Sequence, residues 1–423
     1  MNRLSIDSVL SIGVRVLGGF SSYLLTIVVA RVLGVEDAGA FFLGLSTILL
    51  LATFSQLGLD VVTLKYTGIF YQKSHHFSRF ILSRNNLIIV FAFSSLVAAC
   101  VFTFNKPLAS LFDDTLRLSN VFRTLSPVIA TTASLMIIGM FLQGSHRPLI
   151  SILLTKIFFP TALIICLLLF SQPSLSSVSR TATISSVALL LATLTWWFIA
   201  NRSQAIKSSE EKPVVGDLLR SASVLWLITV LSQALLWLPP VFAGIWMGSV
   251  EVAQLSIAQR TAMLVGIILV SVNMLAAPRF AAYYEQGKVD EFSQLFKSTL
   301  RLTLSFAIPI IVCLFLLSPY LVFLFGDDYI DASILLKIVL LGELVNVICG
   351  SVGYALIMTG NEKDLRNSAL IALLASLLLN YFLVQQYGML GCAIAYSLSI
   401  GLYNLCSAYW VKKRLGFNPM VFW

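Results

Sequence analysis

Four ionisable side chains stand within long apolar runs: Arg15 (GVRVLG), Lys156 (LLTKIFF), Arg260 (AQRTAM) and Glu343 (LLGELVN). Asp60 closes a fifth such run (QLGLDVV). A charge in hydrocarbon costs at least ~2.5–3.5 kcal/mol, so it faces a cavity, finds a partner or reaches back to the surface. Arg presents a fork that grips phosphate or carboxylate through two bonds, and Lys presents a point charge. A deep carboxylate takes up a proton, binds a cation or pairs with a base. The chemistry open to this set is anion recognition and ion exchange.

Each residue has two readings. Arg15 lies about two turns into its run and either faces a cavity or snorkels to the near surface. Lys156 is as deep, with Pro160 one turn later to kink the helix. Arg260 follows Gln259 at similar depth. Glu343 is either the site that takes up H+ or Na+, or half of a fixed ion pair with Lys156, Arg15 or Arg260. Asp60 is a weaker coupling candidate. Asn346, Asn380 and Gln143 coordinate a cation or bond neighbouring helices. Arg31, Arg123 and Lys337 lie nearer the ends of their runs, as anchors or late contacts.

Bond-breaking chemistry has little to work with. His75, His76 and His146 all fall in polar connectors. The six cysteines, Cys100, Cys166, Cys313, Cys349, Cys392 and Cys406, sit in apolar runs without ligand spacing. They read as small hydrophobes. No phosphate-binding Walker loop is present, so ATP is not expected to drive the protein directly. No cofactor is expected, only an ion gradient. No long outside loop carries the paired carboxylates or bases of a membrane polymerase or ligase.

The elements that position these residues follow from composition. The chain has 423 residues, 58% of them hydrophobic and 11% charged, with mean hydropathy +0.92. Soluble domains are about 45–50% apolar and about a quarter charged, so the bilayer is the expected solvent. A spanning helix needs about 20 apolar residues. Twelve runs qualify, over 8–30, 39–60, 86–104, 120–142, 149–170, 182–200, 219–247, 252–276, 302–325, 333–357, 367–385 and 391–411. The first runs past Val29 without a small-residue cleavage site, so a removed signal peptide is not expected. These runs predict an all-α integral membrane protein.

Net charge is +9, but the basic residues do not form the single patch that nucleic acid would need. With the N-terminus inside, 19 of 28 Lys and Arg fall on inside loops and five outside. The positive-inside rule then places both termini in the cytoplasm. Trp196, Trp197, Trp410 and Trp423 fall near span ends, where aromatic residues anchor.

Leu33–Gly34 in ARVLGVEDAGAF returns as Met247–Gly248 at an offset of 214, and Arg123 as Lys337 at the same offset. The LFDD after Ser110 returns as LFGDD after Val322–Phe323, and Gly144 pairs with Gly360 at 216. Six spans per half is an even number, so the halves insert in the same orientation as parallel repeats. The expected organisation is a six-helix bundle over 1–200, a cytoplasmic linker over 201–217 and a second bundle over 218–423, around a central cavity. In ARVLGVEDAGAF, Gly34 and Gly39 are expected to turn the chain outside, with Glu36 and Asp37 at the following helix's positive end.

Several of these stretches resemble a family. They are ARVLG-x-x-D-A-G-x-F, FSQLGLD (Phe54–Asp60), APRF (Ala277–Phe280), YYEQGK (Tyr283–Lys288), LFGDDY-IDAS-LLK (Leu324–Lys337), the TGNEK ending at Lys363 and YGMLGCAIA (Tyr387–Ala395). Together they are similar to Wzx-type polysaccharide and O-antigen flippases of the multidrug/oligosaccharidyl-lipid/polysaccharide exporter superfamily. The resemblance implies twelve or fourteen helices and export of polyprenyl-diphosphate-linked oligosaccharide across a bacterial inner membrane. It also implies membrane lipid and polysaccharide polymerases as partners. For such a substrate Arg15, Lys156 and Arg260 are the candidate diphosphate contacts, and Glu343 and Asp60 the coupling candidates. The alternative is a drug or cation antiporter of the multidrug and toxic compound extrusion type. Carboxylates should line the cavity of such a protein, whereas deep cations predominate here.

Overall fold

The computed structural model describes residues 3–72, 76–112, 114–169, 174–201 and 215–420. Lys73, His75, Asp113, the linker stretch 202–214 with its Lys and Arg, and Trp423 lie outside them. Every described regular element is a helix. Among the described residues ten helices are long and apolar enough to cross a bilayer, which makes this a multi-pass membrane protein. Two of them are double. α1 (Arg3–Ser55) leaves helical geometry at Gly34 (φ 74°, ψ 171°), and the last helix, Glu362–Leu415, does so at Gly388 (φ 57°, ψ −131°). Only glycine takes such a φ without a steric penalty. Counting both legs of each, the described residues supply twelve apolar legs.

The chain divides by packing into two compact units, Met1–Leu33 with Ala40–Val230, and Gly34–Gly39 with Leu231–Trp423. In the first, α1 is followed by α2 (Leu59–Gln72), α3 (His76–Thr103), the short α4 (Asn105–Ala109) and α5 (Thr115–Gly144). Then come α6 (Pro148–Ile152), a π-turn over Leu153–Ile157, α7 (Phe158–Leu169) and α8 (Leu175–Asn201). α5 is the central post. Ile129, Ala133, Ile137 and Phe141 recur every fourth residue along it and are all buried. α2, α3 and α8 pack around it.

α9 (Val215–Trp246) crosses the division between units. The second unit continues with α10 (Ser249–Glu285), α11 (Val289–Leu316), the short α12 (Ser318–Phe323) and a 3₁₀ turn over Asp327–Tyr329. α13 (Ala332–Cys349), α14 (Val352–Met358) and α15 (Glu362–Leu415) complete it. Here α13 is the post, with Leu336, Val339, Leu340 and Val347 buried against α10, α11 and α15. Arg414 at the end of α15 bonds Asp364 at its start through two nitrogens, at 2.7 and 3.3 Å. That pair ties the ends of the α15 hairpin together.

Between helices in lipid, van der Waals contact at small residues replaces the hydrophobic effect as the packing force. A Cβ on Gly139 would come within 2.6 Å of Thr155 Cγ2, and one on Gly342 within 2.7 Å of Ser397 Cα. Gly39 belongs to this group. It was expected to turn the chain, yet it lies inside α1, and a Cβ there would sit 1.7 Å from the Ser249 carbonyl oxygen. Gly34 alone makes the turn; Gly39 is small because two backbones meet.

The repeat is visible in detail within each unit. Arg123 lies over Phe102 at 5.4 Å, and Lys337 over Phe315 at 5.6 Å. After α5, Ser145 N–H bonds Phe141 O (3.0 Å) and Arg147 N–H bonds Leu142 O (2.9 Å). After α14, Thr359 N–H bonds Ala355 O (3.2 Å) and Asn361 N–H bonds Leu356 O (2.8 Å). The register of these turns is 214, not 216. The partner of Gly360 (φ 73°) is therefore His146 (φ 56°), and Gly144 is a packing glycine whose Cβ would lie 2.8 Å from Leu64 O. Matching glycine to glycine misplaced this correspondence by two residues.

The halves also differ. The fourth apolar leg, α5, is continuous, whereas its counterpart breaks at Gly350 (φ 66°) between α13 and α14. The fifth carries the π-turn, whereas the matching stretch of α15 is regular helix.

Candidate functional site

Lys156 sits in the π-turn, and the sequence accounts for it. Pro160 offers no N–H to the carbonyl of Lys156, and its ring crowds that carbonyl. The backbone widens one turn earlier instead, with Phe158 N–H reaching back five residues to Leu153 O. Thr161 Oγ1 donates to Ile157 O in the same turn. Single π-turns of this kind concentrate at functional sites. The widened turn approaches α1 at Gly18, where a Cβ would lie 3.0 Å from Lys156 Cβ and 3.7 Å from its carbonyl oxygen.

Arg15 stands one turn before Gly18 and is half-buried. It is close enough to Lys156 for the two like charges to repel. The Lys156 side chain is accessible. Two neighbouring cations attract an anion. No Asp or Glu occurs in 61–112 or in 115–209. The long stretches of chain around Lys156 therefore supply no carboxylate of their own.

Arg260 is placed differently. Its guanidinium carbon lies 5.7 Å over the Trp237 ring, and Trp237 Nε1 donates to Gln233 Oε1 at 3.0 Å. The neighbouring Gln259 is buried, and its Nε2 has no hydrogen-bond partner among the described residues. Arg260 thus belongs to an aromatic and amide surface of the second unit.

Glu343 is 5% exposed, on α13. Its carboxylate accepts from Asn346 Nδ2 (Oε2, 3.0 Å) and from the fully buried Tyr396 hydroxyl (Oε1, 3.2 Å). Both donors are neutral, and among the described residues no cation pairs with it. Within the second unit, among the described residues, it forms no ion pair with Arg260. Asn346 was among the polar candidates; Tyr396, inside GCAIAYS, looked like an apolar-run tyrosine and was missed. The break at Gly350 follows two turns later, and there Ser351 Oγ is buried without a partner among the described residues. An apolar cavity of about 630 Å³ adjoins this helix, lined by Ile338, Leu341, Gly342, Val345 and Leu379 among others. Glu343 is not among its lining residues.

Asp60 is buried in the first turn of α2, near the backbone amides that open the helix. An acidic residue there satisfies open amides and the helix dipole. Asn380 donates to Ser376 O (2.8 Å) on its own helix, without cross-linking two helices.

A family model described as "Polysaccharide biosynthesis protein" matches residues 8–284. The chain belongs to that family. The MatE family model matches 228–382, within the second half. Among curated relatives, the capsular polysaccharide biosynthesis protein CapF of Staphylococcus aureus is 27% identical over 151 residues, 36% of this polysaccharide-biosynthesis family member and 38% of CapF. The fold is that of the lipid II flippase MurJ in its inward closed conformation, with TM-score 0.72, 18% identity, and 96% of this chain and 87% of MurJ covered. A multidrug resistance MATE family transporter in an inward-facing conformation has TM-score 0.76 at 14% identity, with 97% and 98% covered.

Proposed function

We propose that the protein is a flippase that moves polyprenyl-diphosphate-linked oligosaccharide across the bacterial cytoplasmic membrane by alternating access between its two halves. The single observation that carries the reading is Lys156 on a helix irregularity seated against Gly18 of α1, one turn from Arg15, in a unit whose long segments lack carboxylates. An anionic diphosphate needs that environment, because cationic side chains replace the water it leaves behind. Membership of the polysaccharide biosynthesis family supports the saccharide.

Glu343 is the proposed coupling group, taking up H+ or Na+ as the protein changes state. Neutral donors hold its carboxylate, so ion uptake has no salt bridge to break. Both termini are assigned to the cytoplasm, and polysaccharide polymerases are the expected partners. The protein acts as a transporter, with no chemical step on the saccharide.

The test is a deletion strain complemented with wild type. Loss of surface polysaccharide, with lipid-linked units accumulating on the cytoplasmic face and rescue by wild type, is the expected result. Unchanged polysaccharide in the deletion strain would remove the function and put a drug or cation antiporter first.

A further inference from the structure

The turn after α5 differs chemically from its counterpart after α14 although the two backbones match. In the second half the left-handed position is Gly360, and Asn361 folds back to donate to Thr359 Oγ1 at 2.8 Å. In the first half a histidine takes the left-handed conformation, which strains any residue with a Cβ, and an arginine follows it. Both side chains are exposed. The His146 ring lies 4.7 Å from that of Tyr71. The Arg79 guanidinium carbon is buried 5.4 Å from the Tyr71 ring and 5.6 Å from that of Phe141, within electrostatic reach of Arg147. Arg79 and His146 thus flank one tyrosine on α2, Arg147 follows the histidine in the same turn, and neither segment, 61–112 nor 115–209, contains an Asp or Glu.

We propose that Arg147, His146 and Tyr71 form a binding site for a phosphate group, with the buried Arg79 adding positive potential behind them. The chemistry suits a tetrahedral oxyanion. The Arg147 fork, an imidazole N–H and a phenol O–H all donate, and among the described residues no carboxylate pairs with any of the three. If the flippase reading holds, on which this assignment of side rests, the turn faces the cytoplasm. It would then hold the head of a lipid-linked diphosphate before that head reaches Lys156. A bilayer phospholipid headgroup carries the same group and is the other source.

The test transplants the second half's turn into the first, as His146→Gly with Arg147→Asn. Glycine relieves the left-handed strain, so the melting temperature should hold or rise. The full chain in dodecyl maltoside micelles, which bring no phosphate of their own, is titrated with radiolabelled farnesyl diphosphate. A Lys156→Gln background keeps the deep lysine from masking the loss. Affinity should fall at least about tenfold, the scale of losing hydrogen bonds to a charged group. Titration is then repeated in phosphatidylglycerol nanodiscs. If the unsubstituted turn loses farnesyl diphosphate there, the site takes bilayer headgroups; if it keeps it, the site takes the diphosphate. Equal affinity with and without the transplanted turn would overturn the site and leave the flippase reading standing. No binding by the unsubstituted turn would also overturn it, and the export assay would still decide the flippase reading separately.

Discussion

The two halves share a backbone plan and divide the chemistry. Both have a cation over a phenylalanine beside the central post, and both end the fourth apolar stretch in the same hydrogen-bonded turn. Their irregularities differ. The first half widens its fifth stretch into a π-turn that carries Lys156, and the second breaks its fourth stretch two turns beyond Glu343. Each departure from regular helix lies near the half's own deep ionisable group. Irregular backbone at membrane depth is tolerated only where protein or a wet cavity surrounds it. Under the proposed function, the first unit's cations would meet the anionic cargo and Glu343 of the second would exchange the ion.

The largest effect should come from reversing charge in the first half. Lys156→Glu should abolish export at normal protein levels, and Lys156→Arg should keep a measurable part of it, both read as surface polysaccharide. Equal loss in both would mean that the lysine serves packing against Gly18 rather than charge. Next is Gly39→Val, which drives a side chain into the Ser249 backbone; it should prevent accumulation of folded protein, whereas Gly34→Ala should cost about 1–3 kcal/mol for a Cβ at positive φ with extended ψ. The comparison of melting temperatures separates a packing glycine from a turning one.

In the second half, Glu343→Gln should leave a folded protein whose transport no longer responds to an imposed ion gradient. Tyr396→Phe should retain the response and lose about 1 kcal/mol of stability, the net worth of one hydrogen bond. The smallest effects belong to what the halves share. Arg123→Ala and Lys337→Ala should each cost about 0.5–1 kcal/mol, an exposed cation–π contact, with little change in export. A large loss at only one of them would show that the pair is not merely structural.

Much of the fold was legible in the chain because length and apolarity of runs are what a bilayer demands. Gly34 as a turn and the 214 offset of Arg123 and Lys337 were readable from local chemistry. Two kinds of feature were not. Close backbone approach leaves no signature beyond a small residue, so Gly39 read as a turn glycine and Gly144 as the partner of Gly360. Partners distant in sequence also escape a linear reading: Tyr396 lies 53 residues from Glu343. Pro160 signalled a distortion near Lys156, but the form it takes, a π-turn seated on Gly18, depends on how closely α1 approaches.

In the proposed function the first half's cations move an anionic lipid head. The most direct measurement is transbilayer movement of a polyprenyl-diphosphate-linked saccharide in proteoliposomes holding equal amounts of wild type or Lys156→Gln. Fast movement by wild type, slowed at least about tenfold by the substitution, is the predicted result, again the scale of one lost contact to a charged group. Movement at the wild-type rate without the lysine would contradict it, as would a wild type that moves no lipid-linked saccharide while expelling a cationic dye.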